Sequence, residues 1–131
     1  MKTAVRSTLL VLALGAAALA IAQAPGIKRT VLQKSDVGGN LEVVSAMAEI
    51  SSGGSTGPHT HPGVEVGYVL EGTSTLVIEG EAPKAMKAGD SYVIPAGKVH
   101  DAKNDTKGAV KVLATYIVEK GKPLATPAPA K

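Results

Sequence analysis

The run Pro58-His59-Thr60-His61-Pro62-Gly63-Val64-Glu65-Val66-Gly67-Tyr68-Val69-Leu70-Glu71-Gly72 decides how the chain reads. From Val64 onward it is rich in β-branched and aromatic residues and closes on a glycine, the signature of a strand bounded by a turn. His59 and His61 stand two apart, and Glu65 lies four further on. Successive strand residues project to opposite faces, so in an extended segment both imidazoles and the carboxylate share a face. Pro62-Gly63 can break that register, and a histidine in a small domain is commonly structural or simply exposed. Parity alone leaves two readings open: a metal site, or ordinary histidines beside an acid.

Outward from this run the pattern is the same. Leu41–Ile50, Thr73–Glu79, Ser91–Ile94, Val99–Ala102 and Ala109–Glu119 are β-prone, as is Val64–Leu70. Gly38-Gly39-Asn40, Ser51 to Gly57, Glu71-Gly72, Glu79-Gly80, Ala88-Gly89-Asp90 and Pro95-Ala96-Gly97 separate them as turns. Short strands at this spacing predict an all-β sandwich or barrel. Met47–Ile50 and Ala82–Lys87 have the composition of single helical turns, with nearby glycines and Pro83 opposing anything longer. The third and last histidine of the chain, His100, follows the Pro95-Ala96-Gly97 turn. Lys120–Lys131 is rich in Pro and Ala without an apolar period, and reads as an extended or flexible tail.

The other end of the chain reads as an export signal. Met1 to Thr8 carries Lys2 and Arg6 and no acid, Leu9 to Ala20 is apolar throughout, and Ala20-Ile21-Ala22 has the small-x-small form of a cleavage site. The apolar run is shorter than the roughly 20 residues a bilayer requires. The expectation is a signal peptide over 1–22, an exported or periplasmic product, and no stable membrane anchor after cleavage. The remaining chain, about 109 residues, is one domain by length.

Without Lys2 and Arg6, the 14 basic residues become 12 against 11 acids, so the mature chain is close to neutral. No basic run follows the signal, which excludes an electrostatic footprint for nucleic acid. Cysteine and tryptophan are absent and phenylalanine is too. A small exported domain with no disulfides and only three aromatic residues, Tyr68, Tyr92 and Tyr116, gains from a metal or a subunit interface.

At the level of spacing the chain resembles the cupin family. Gly53, five residues, His59-Thr60-His61, three residues, Glu65, six residues and Gly72 match the first of the family's two motifs. Gly89, five residues, Pro95-Ala96-Gly97, two residues, His100, three residues and Asn104 match the second. The resemblance implies a jelly-roll β-barrel over residues 23–119, with His59, His61, Glu65 and His100 holding one divalent transition metal. Three imidazoles and a carboxylate suit Zn, Cu, Mn, Fe or Ni. Neutral imidazole is required, so affinity is expected to fall below about pH 6.

The same resemblance implies open coordination positions and a small-molecule substrate or ligand. Metal-dependent oxygenase chemistry with Glu65 as a base is one expectation; a non-catalytic metal- or ligand-binding module is another, and a barrel in which the ion is purely structural a third. Arg29 is the only arginine of the mature chain available to hold an anionic substrate. Gly67 shares parity with Glu65 and either widens the cavity beside the ligand or marks a bulge. Tyr68 has the opposite parity and is expected to pack. A homodimer, with Leu41–Ile50 as a candidate edge, completes the expectations.

Overall fold

The computed structural model describes residues 25–129, so the expected signal peptide lies outside the described residues. Ten strands follow one another without a helix among the described residues. They are β1 (Ile27–Gly38), β2 (Leu41–Ile50), β3 (His59–Thr60), β4 (Gly63–Glu71), β5 (Thr73–Ile78), β6 (Lys84–Lys87), β7 (Ser91–Ile94), β8 (His100–Lys103), β9 (Val110–Glu119) and β10 (Thr126–Pro127). Two five-stranded antiparallel sheets result, in the orders β1-β2-β9-β4-β7 and β10-β3-β8-β5-β6. The chain is an all-β jelly-roll barrel.

Alternation sets which side chains fill it. Along β9, Val110, Val112, Ala114, Tyr116 and Val118 are buried, and along β2 Val44, Ala46, Ala48 and Ile50 are. Small and β-branched residues fill the interior in two groups. Ile50, Val69, Leu76, Met86, Ile94 and Val110 belong to the larger; Val44, Ala46, Ala114, Tyr116 and Val118 form the smaller. Gly72, in the turn between β4 and β5, allows that turn to approach the start of β9: its φ is +83°, and an added Cβ would lie 2.5 Å from the Ala109 carbonyl.

Three expectations change. The first strand, β1, was not foreseen, because IKRTVLQKSDVG lacks alternation and occupies a sheet edge where polar side chains are tolerated. Neither candidate helical turn forms. Met47–Ile50 continues β2, and Lys84–Lys87 pairs with β5 while burying Met86. Leu41–Ile50 is no edge, since β2 lies between β1 and β9; the edges are β1 and β7 in one sheet, β10 and β6 in the other.

Candidate metal centre

The two sheets bring four side chains to one point between them. His59 lies in β3 and His100 opens β8, and the two are direct cross-strand partners. Glu65 projects from β4 of the facing sheet, opposite Tyr116 of β9. His61 follows β3 immediately. The turn that aims His100 is tied to it: Gly97, at φ +70°, donates its N–H to the His61 carbonyl at 3.0 Å. All four side chains are buried, and one potential ligand atom from each lies within 4.8 Å of the others.

Each imidazole is oriented by a backbone carbonyl. Nδ1 of His59 bonds Gly57 O at 2.7 Å, Nδ1 of His61 bonds Leu124 O at 2.6 Å, and Nδ1 of His100 bonds Lys98 O at 3.0 Å. A carbonyl only accepts, so the proton sits on Nδ1 in all three rings and the Nε2 lone pairs turn inward. That is the arrangement metal-ligating histidines require. Glu65 Oε2 stands 2.8 Å from His61 Nε2 and 3.2 Å from His100 Nε2. The first of these pairs is not aligned as a hydrogen bond, which leaves His61 Nε2 buried without a partner. A buried, unsatisfied nitrogen in a converging set of three imidazoles and a carboxylate fits a divalent first-row ion.

The electrostatics favour the ligand forms. Burial, reinforced by the neighbouring His100, lowers His59 to about 4, so its ring is neutral at pH 7. Burial pushes the Glu65 carboxyl up. The imidazoles of His100 and His61 beside it outweigh burial and hold the group well below the usual carboxylate range. Tyr92 donates its phenol proton to Glu65 Oε1 at 2.9 Å, which fixes the remaining oxygen.

Gly67 has an explanation that parity did not supply. A Cβ at this position would lie 2.1 Å from Tyr92 Cζ. The ring of Tyr92, the cross-strand partner of Gly67, occupies that space and reaches along the strand to Glu65. The ladder runs through Gly67 without a shift. The glycine therefore neither widens the cavity nor marks a bulge. Tyr68 faces outward and is exposed, so it packs against nothing inside.

Sequence reasoning left three parts of the site unplaced, although it named Arg29 as the one arginine able to hold an anionic substrate. Tyr92 is one; its position two residues before Ile94, at inward parity with the ligand face, is the signal that would have found it. Arg29 approaches His59 Nε2 with its guanidinium at 3.5 Å and lines a cavity of about 20 Å³ together with Thr56, Glu65, Tyr92, His100 and Tyr116. The third is the segment after β9. Leu124 packs on the smaller core group while its carbonyl receives His61, Thr126–Pro127 pairs with β3, and Ala128 N donates to Pro58 O at 2.9 Å. The Pro/Ala-rich segment is extended, and it is laid against the strand that carries the first ligand.

An all-β double sheet with a buried three-histidine, one-carboxylate centre defines a metal-binding cupin barrel, and the comparisons place the chain accordingly. The family described as Cupin domain matches residues 46–116, more than half of the chain. The protein belongs to the cupin family. A germin-like protein of Arabidopsis thaliana, subfamily 2 member 2, is 38% identical over 81 residues, which is 58% of this chain and 37% of that protein. The chain thus matches well under half the length of this curated relative. Among solved structures, the polyketide cyclase RemF from Streptomyces resistomycificus superposes with a TM-score of 0.65 at 25% identity, covering 83% of this chain and 75% of that one. An oxalate oxidase superposes with a TM-score of 0.64 at 26% identity, covering 79% and 56%.

Proposed function

We propose that the protein is a metal-dependent oxidoreductase of the oxygenase type acting on a small organic molecule. The observation that carries this reading is the cavity beside His59, Glu65 and His100, walled by Arg29, Thr56, Tyr92 and Tyr116. A structural metal site is closed by its ligands, whereas a catalytic one keeps a position open. The likeness to an oxalate oxidase supports the oxidoreductase class. A bound divalent ion would supply Lewis acidity and a template for substrate.

The protein's own residues then divide the work. His59, His61, His100 and Glu65 hold the ion, and Tyr92 keeps Glu65 in place. Held far below its ordinary range, Glu65 suits ligation, and it is a weak base near neutral pH, where a general base works best with a pKa close to the ambient pH. Tyr116 walls the cavity, its ring 4.7 Å from that of His61. An alternative reading, a non-catalytic metal- or ligand-binding module, is favoured by the size of the cavity: about 20 Å³ admits only one or two water-sized groups.

Oxygen uptake decides between the two. Metal-loaded protein incubated with small enols, phenols, thiols and carboxylic acids is expected to consume oxygen with at least one of them, in proportion to bound metal. Full metal occupancy with no uptake across the panel would favour the binding module. We further propose export with cleavage after Ala22, and Zn, Cu or Mn in preference to Fe as the resident ion. Mass spectrometry and elemental analysis of protein from its native host test both; an intact N-terminus or stoichiometric iron would overturn them.

A further inference from the structure

A second concavity lies on the other side of β8 from the metal centre. The His100 side chain turns into the barrel, so Asp101 turns outward, and its cross-strand partner Val77 of β5 turns with it. An outward carboxylate on a sheet is ordinarily solvated, yet Asp101 is only 6% exposed. The segment before β3 covers it. Ser55 and Thr56 both donate their hydroxyls to Oδ1, at 2.7 and 2.9 Å, and Thr56 Oγ1 in turn accepts the Ala102 N–H at 2.9 Å. Among the described residues no hydrogen bond reaches Oδ2, and no ion pair includes Asp101. The carboxylate lines a groove of about 300 Å³ together with Pro58, Val77, Val99 and Pro129. Of the other charged side chains there, Glu81 and Lys103 are exposed to solvent and Glu79 has an interaction of its own. A largely buried carboxylate with an unused oxygen beside apolar walls is stabilised by a cationic donor.

We propose that this groove binds a small primary alkylammonium cation, with its ammonium on Asp101 Oδ2 and its hydrocarbon chain along Pro58, Val77, Val99 and Pro129. The chemistry of the groove chooses this class. Oδ1 already accepts two hydroxyls, so a guanidinium, whose fork takes both oxygens of one carboxylate, loses its advantage. A compact ammonium needs only the oxygen that is left. A hard metal ion would need about six or more oxygen ligands, and the walls beside Asp101 are apolar. The volume sits at the lower end of the roughly 300–1,000 Å³ of small-molecule sites, which suits a chain of a few carbons. The site is separate from the metal centre and does not depend on the reaction proposed there.

The test is titration of n-butylammonium into the full chain with Zn(II) bound, at constant ionic strength, followed by backbone amide NMR. Saturable shifts at millimolar concentration are expected at Val77, Gly80, Asp101 and Lys103, and the metal-free chain should bind with the same affinity. Asp101→Asn keeps an oxygen for the Ser55 and Thr56 hydroxyls and replaces Oδ2 by a donor. It should fold and weaken binding about tenfold or more. Val77→Lys supplies an ammonium from within the protein and should do the same. Butanol and butyrate, which lack the cation, should bind at least about tenfold more weakly than butylammonium. No saturable shift in the wild type, or equal affinity in wild type and Asp101→Asn, would overturn the proposal. Should Asp101→Asn not fold, Val77→Lys decides alone, and an unchanged affinity there overturns it. Binding seen only in the metal-loaded chain, with shifts around His59, His61 and Glu65, would place the amine on the ion and also overturn it. Butanol binding as tightly as butylammonium would make the groove an apolar crevice and overturn the ammonium assignment.

Discussion

Gly67 and Tyr92 act as one unit across the β4–β7 pair. The missing side chain makes room for the phenol ring, and the ring's hydroxyl fixes Glu65. In Gly67→Ala the new methyl would meet the ring at 2.1 Å, so Tyr92 must leave and Glu65 Oε1 loses its donor. The expected cost is about 2 kcal/mol in thermal or denaturant unfolding. Tyr92→Phe keeps the ring and removes only the proton donor. It should fold normally while binding metal about 10–100-fold more weakly.

His59 makes a prediction about pH. Its ordinary value is 6.5 and in the fold it is about 4. Between these values the unfolded chain binds more protons than the folded one, so stability rises with pH across the window. Metal-free protein should therefore lose stability as pH falls from 6.5 to 4, with His59 responsible for on the order of 3 kcal/mol. Urea unfolding at a series of pH values checks this; a flat profile over that range would contradict it. The same shift places protonation of this ligand well below the pH 6 expected from an unperturbed imidazole.

At the scale of elements, the segment after β9 is the part of the structure least visible beforehand. Its composition, rich in Pro and Ala, is what an unpartnered tail also has. What distinguishes it is Leu124, whose side chain caps the smaller core group while its carbonyl fixes the tautomer of His61. Truncation after Gly121 should leave most of the barrel intact but lower metal affinity about 10–100-fold, as loss of a carbonyl partner to a ligating histidine does. Titration of the truncated chain with metal would show it; unchanged affinity would mean that Leu124 does not orient His61. By contrast, β2, β4, β5, β7, β8 and β9 were legible to within a residue or so, because each alternates or is bounded by Gly and Pro. The strand β1 was not, since an edge strand need not alternate, and β6 was not, since only Met86 of its four residues is buried.

For the whole molecule, the two motifs carry both fold and site, and the barrel shows why their spacing matters. Asn104 of the second is fully buried and donates to the carbonyls of Ile50, Ser51 and Gly108, while Gly53 of the first donates its N–H to the Asn104 carbonyl. The loop before β3 and the loop after β8 are thus locked to each other, and the three histidines, dispersed over residues 59–100, meet Glu65 across the two sheets. Spacing identified those four residues; it held no record of Arg29, Tyr92 or Leu124, whose roles depend on which strands the closed barrel brings side by side.

The central claim is that His59, His61, Glu65 and His100 together hold one divalent ion. Its most direct test is titration of chelator-stripped protein with Mn(II) or Zn(II), followed by calorimetry and elemental analysis, in wild type and in His59→Ala and His100→Ala. The expected result is one ion per chain in the wild type with a rise in melting temperature on loading, and loss of stoichiometric binding in both variants. No stoichiometric binding by the wild type, or full binding by either variant, would contradict it.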